Sequence, residues 1–164
     1  MGTHASSDVR DVMNGLRRLI RVLRLSDAEV DRRLRVSSAQ LFVLAELGTV
    51  PGCSVGELAN RTHTDQSSVS MVITRLVGRG LVARAESAQD RRRVELRVTP
   101  KGRALLRRAP RTTQARLVDA VEALPASRRR VLASALSDLV GAIGGESEQP
   151  TLFFEDGTRR RARK

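Results

Sequence analysis

The chain has 164 residues, 40% of them apolar, which is enough for one compact core and too few for two domains of ordinary size. Lysine and arginine number 30 against 18 acidic residues, a formal charge of +12, so nucleic acid is the first expected partner, with an anionic membrane or a solubility device as the plainer readings. Its only aromatic residues are three phenylalanines, too few for base-stacking on single strands, and its single cysteine excludes an intramolecular disulfide framework.

The chain opens on Met1-Gly2-Thr3-His4-Ala5-Ser6, which fits the loose acceptor pattern for myristoylation, a pattern that matters only where the transferase exists. No secretory apolar region and no stretch of membrane-spanning length is visible, so the expected location is the cytoplasm. From Asp8 to Leu25, Val9, Val12, Met13, Leu16, Leu19, Ile20 and Leu23 recur at three and four, which predicts a first helix with a basic outer face. Ser37 with Gln40, and again Ser54 with Glu57, are capping boxes that open two further helices, the first through Leu47 and the second, a short one, to about Arg61. Thr62-His63-Thr64 is read as a tight link that also supplies the cap of a fourth helix, residues 65–79, with Val69, Val72, Ile73 and Leu76 inward.

Two extended stretches follow, Leu81 to Ala85 and Val94 to Val98, joined by a charged tip. Thr99-Pro100 opens a long fifth helix towards Leu124 that Pro110 should kink or interrupt. A sixth begins after Pro125 and carries Val131, Leu132, Leu136, Leu139, Val140 and Ile143 on one face until Gly144 and Gly145. Residues 146–164 form a basic tail expected to stay solvated, with Phe153 and Phe154 as candidates to dock. The fold expected is mainly α with a small β-hairpin.

The third and fourth helices have the dimensions of a helix-turn-helix, whose second helix enters a major groove. With the apolar stripe inward, Gln66, Ser67, Ser70, Met71 and Thr74 face out; Gln66 suits adenine, and Ser67 and Ser70 suit base edges or phosphates. Ser67 and Ser68 also fit the plainer role of capping or solvating the first turn. Arg75, one turn beyond Met71, can clamp a phosphate or simply stand in solvent. The tip Asp90-Arg91-Arg92-Arg93 suits a narrow minor groove, and its place directly after a helix-turn-helix favours that over an ordinary solvated loop.

These residues resemble the MarR family. Asp65-Gln66-Ser67-Ser68-Val69-Ser70, Arg75-Leu76-Val77 and Gly80-Leu81-Val82 are similar to its recognition helix and exit, and Asp90-Arg91-Arg92-Arg93 through Thr99-Pro100-Lys101-Gly102 is similar to its wing signature. The resemblance covers roughly residues 8 to 143. It implies a winged helix in residues 37–100, an interlocked homodimer built from residues 1–36 and 101–145, and a pseudo-palindromic DNA operator bound by a repressor. It further implies Arg92 as the minor-groove finger with Asp90 beside it, and Gln66, Ser67, Ser70 and Arg75 at DNA-facing positions; Met71 stands where relatives carry arginine. A phenolic or other lipophilic anion is implied as the effector, in a pocket lined by the first, second and fifth helices.

Cys53, just before the Ser54 cap, is a candidate redox thiol if the helix dipole lowers its pKa, against the plainer reading of an inert loop cysteine. His63 is placed to touch phosphate, and with His4 as its only fellow histidine it lacks partners for a metal site. No catalytic constellation, cofactor cradle or metal cluster stands at usable spacing, so an enzyme is not expected. The alternatives are a nonspecific architectural or RNA-binding protein, which would use the same charge without an operator or effector, and a helix-turn-helix used to bind protein, against which the wing arginines argue.

Overall fold

The computed structural model describes residues 2–50, 52–86, 94–145 and 152–153. Helix α1 spans Gly2–Leu34, beyond the expected end at Leu25, and reaches about 50 Å at 1.5 Å per residue. The inward face runs from Leu23 on past Leu25 through Asp27 and Val30, all three buried, to Leu34. A carboxylate on that face hides the stripe from a reading of apolar residues, and its purpose is local: Asp27 Oδ1 accepts the Ser38 N–H at 2.9 Å, tying α1 to the start of α2. Arg35, in the left-handed region at φ 57°, ends the helix.

Helix α2, Ser38–Thr49, is the centre of the fold. It opens on the expected Ser37–Gln40 capping box and is apolar all round, with Ala39, Leu41, Phe42, Val43, Leu44 and Leu47 buried, as a helix surrounded by others must be. Around it pack α1, α3 (Val55–Arg61), α4 (Gln66–Gly78), strand β2, and the later helices α5 and α6. Helix α3 opens on the second box, in which Ser54 Oγ accepts the Glu57 N–H at 3.2 Å and Glu57 Oε2 accepts the Ser54 N–H at 2.7 Å. Each cap of this kind contributes about 1 kcal/mol.

Strands β1 (Val82–Glu86) and β2 (Val94–Val98) pair antiparallel, Val82 opposite Val98 and Glu86 opposite Val94. Cys53 adds a bridge to Leu96 on the far side of β2, with Leu96 N–H donating to Cys53 O at 2.9 Å, so the hairpin root is held from both sides.

In place of one long fifth helix there are two, α5 (Pro100–Leu106) and α6 (Thr113–Glu122), because the Pro110 ring would strike the carbonyl four residues back, at Leu106. Thr112 restarts the chain by accepting the Ala115 N–H at 3.1 Å. Helix α7, Ala126–Ala142, buries none of its residues: Val131, Leu136 and Val140 stand exposed, with Ile143 just past its end, as do Val9, Val12, Ile20 and Leu25 of α1. Of the apolar tail residues, Leu152 is buried in the core at 3% exposure and Phe153 lies outside at 48%. No described helix is long and apolar enough to cross a membrane.

Candidate nucleic-acid interface

Helices α3 and α4 meet through a tight turn. The Thr62 hydroxyl is buried and donates to Leu58 O and Ala59 O at 3.0 and 3.1 Å, and His63 takes φ 50° to reverse the chain. The cap of α4 is Asp65, not the Thr62–Thr64 link: Asp65 Oδ1 accepts the Ser68 N–H at 2.8 Å and also the Ser67 hydroxyl. These bonds, the Ser67 hydroxyl first and the Ser68 N–H second, hold the Asp65 carboxyl down at about 2.

Val69, Val72, Ile73 and Leu76 are fully buried, which fixes the rotation of α4 and turns its other face to solvent. Gln66, Ser67, Met71 and Thr74 are exposed on that face; Ser70 and Arg75 are half-buried. Ser68 is not among them: at 1% exposure, with its N–H on Asp65, it is a first-turn residue facing inward, and the expectation that it meets DNA is corrected. The expected wing-tip residues Asp90, Arg91, Arg92 and Arg93 lie outside the described residues.

A residue that the pattern did not single out joins the row. Arg84, exposed on β1, brings Nη2 to 3.4 Å from Thr74 Oγ1, placing a guanidinium at the junction of hairpin and α4. Its signal was present in the strand pattern, where an arginine occupies a position of the strand next to the recognition helix. Thr74 itself donates to Ser70 O at 2.9 Å, so its methyl is the group left for a base edge. Arg61, by contrast, is occupied by Glu46 and Thr49 at 3.1 and 2.7 Å.

The interface is clasped to the rest of the chain at one joint. The Thr99 hydroxyl donates to Gly80 O at 2.7 Å and accepts the Gly102 N–H at 3.1 Å, while Lys101 Nζ donates to Arg79 O at 2.9 Å. A Cβ on Gly102 would sit 2.3 Å from Leu81 O, so only glycine lets α5 begin there.

Cys53 is corrected as a redox candidate. It is buried, and desolvation, with Glu57 adding to it, pushes the thiol above its ordinary value, away from the reactive thiolate. His63 Nε2 lies 3.1 Å from Glu122 Oε1 on α6, which gives the turn a protein partner. Among the described residues, no group of His, Cys, Asp or Glu is placed to hold a metal.

A sequence profile of the MarR family matches residues 36–93. The HTH-type transcriptional repressor MdtR of Bacillus subtilis is 33% identical over 92 residues, 56% of this chain and 59% of that protein, so the match spans less than two thirds of that relative. An HTH-type transcriptional regulator of Mycobacterium tuberculosis is 34% identical over 137 residues, 79% of this chain and 95% of its own length. Among solved structures, Bordetella bronchiseptica BpsR, described for the regulation of its DNA binding by 6-hydroxynicotinic acid, superposes with a TM-score of 0.54 at 28% identity, covering 78% of this chain and 91% of that one. With a recognition helix, a hairpin wing and the Thr-x-x-Gly joint in one lobe, the chain belongs to the MarR family of winged helix-turn-helix proteins.

Proposed function

We propose that the protein is a homodimeric transcriptional repressor that reads a pseudo-palindromic operator in duplex DNA and is released by a small aromatic or lipophilic anion. The observation that carries the DNA reading is the outward row of α4, Gln66, Ser67, Met71 and Thr74, exposed while the opposite row is buried. Short polar side chains there permit the close approach to base edges that a recognition helix needs, and Arg84 and Arg75 flank them for phosphate. The arginines of the sequence run 91–93 are assigned to the minor groove beside it.

The exposed apolar faces of α1 and α7 support dimerisation, because a monomer leaving Val131, Leu136, Val140 and Ile143 in water would carry a large unpaired patch. An effector site between α1, α2 and α6 is supported by two buried polar atoms, Ser38 Oγ and Gln114 Oε1, at the starts of α2 and α6, that find no partner among the described residues. That BpsR answers to an aromatic acid supports the ligand class. Repression follows from occlusion, which needs binding alone.

Fluorescence anisotropy of the purified protein on its own promoter region and on a shuffled duplex, across salt, tests the reading. Selective, salt-sensitive binding by a dimer is expected; equal binding to both duplexes would replace the operator with a nonspecific architectural role.

A further inference from the structure

Between the end of α2, strand β2 and the first turns of α5 lies a cavity of about 520 Å³. Its floor is apolar, made by Leu47, Val98 and Leu106. Glycine at position 48 keeps it open, since even a Cβ there would stand 3.1 Å from Leu106 Cδ1. Arg97, Arg103 and Arg107 complete the lining, and no carboxylate does. All three arginines are exposed, so their apolar stems form wall while their guanidinium heads stay in water at the rim.

The three cations are not equivalent. Arg97 is neutralised by Glu95 at 2.9 Å. Arg103 Nη1 donates to Val98 O at 2.6 Å, which holds the side chain in place and leaves the rest of its fork unspent. Arg107, helical at φ −60° and four residues on from Arg103, shares its face of α5 and makes no ion pair or side-chain hydrogen bond among the described residues. The cavity is separate from the effector site placed at the starts of α2 and α6. Ser38 and Gly48 stand ten residues apart on α2, about 15 Å along its axis, and among the described residues none of α1 or α6 lines the cavity.

We propose that this cavity is a second small-molecule site, which takes an organic carboxylate with an apolar body. Arg103 and Arg107 hold the carboxylate, whose two oxygens match the planar guanidinium fork, and the body lies on Leu47, Val98 and Leu106. The volume falls in the ordinary range for ligand pockets. A phosphate, free or in DNA, would meet the two cations and leave the apolar floor bare. The inference does not rest on the DNA-binding reading.

The test titrates 4-fluorobenzoate and octanoate into the full chain with labelled leucine and valine methyls, read by methyl NMR, with 4-fluorobenzamide as the neutral control. At least one carboxylate should give saturable shifts at Leu47, Val98 and Leu106, and the amide should bind about ten-fold more weakly or not at all. Arg107→Gln should weaken the carboxylate about ten-fold, and Gly48→Leu, which fills the cavity, should abolish binding. Thermal melts establish that each variant is folded; should Gly48→Leu fail to fold, Arg107→Gln, an exposed position, still decides. Absence of saturable shifts at the three methyls overturns the site. So do shifts confined to Val36 and Val118, which would put the probe between α1, α2 and α6 instead. A folded Gly48→Leu protein that binds as the parent does overturns the cavity as the place of binding. If Arg107→Gln leaves the probe's affinity unchanged and lowers the salt slope of DNA binding by about 1, Arg107 is a phosphate contact and the carboxylate site is overturned.

Discussion

Ser67 stands in solvent on the first turn of α4, but its one hydroxyl proton goes to Asp65, so what it offers a base edge is a lone pair. That suits the amino groups of adenine or cytosine better than a phosphate oxygen, and Ser67→Ala should relax preference at one base pair with little change in salt slope, as read by a base-substitution series in anisotropy. Asp65, with its carboxyl held at about 2, stabilises the fold when ionised. Its folded value lies below the unfolded one, so its contribution is present above about pH 4 and is lost as pH falls towards 2. In urea melts, Asp65→Asn, which still caps, should be less sensitive than the parent between pH 4 and 2, and the two should converge at the acid end. The capping boxes at Ser37 and Ser54 were legible because both partners stand at a fixed spacing. Asp65 was not, because three polar residues before it compete for the same role and only the turn geometry at His63 decides among them. Cys53 shows the converse: its place before a helix is visible in the sequence, and the bridge to Leu96 that buries it is a long-range contact.

At the level of elements, the two capping boxes located α2 and α3, and apolar periodicity located α4 and α7, each of which carries its apolar residues on one face. It underestimated α1, where Asp27 occupies a core position, and it left open whether Pro110 bends or divides the helix after the wing. Asp27→Ala should cost about 2 kcal/mol by leaving the Ser38 N–H unpaired in the interior, measurable as a lower urea midpoint at unchanged slope. Gly102→Ala should also destabilise, by about 1–3 kcal/mol, because its methyl meets the Leu81 carbonyl and α5 must shift. Unlike Asp27→Ala, it should weaken DNA binding beyond what the lost stability explains, since the shift moves the hairpin root.

For the whole molecule, the charge of +12 pointed to a polyanion from the outset, whereas the apolar faces that α1 and α7 leave exposed are the ones the proposed dimer would cover with a second chain. Leu136→Asp with Leu139→Asp should yield a monomer in sedimentation and abolish tight operator binding, because a single lobe reaches a single half-site. Arg92→Ala should weaken binding and lower the salt slope by about 1 per chain, read in the same titration.

The joint at Thr99 carries a consequence for how release is heard by DNA. Because Gly80 and Leu81 are pinned to the first turn of α5, the wing root and the end of the recognition helix cannot turn separately from the helix behind them. In the proposed dimer each lobe would then be one jaw of a calliper: an effector that displaced the helices would change the gap between the jaws and leave each jaw's grip intact. Saturating effector should consequently spare binding to an isolated half-site while it lowers affinity for two half-sites at their native separation, and inserting or deleting base pairs between them should restore part of what the effector takes away.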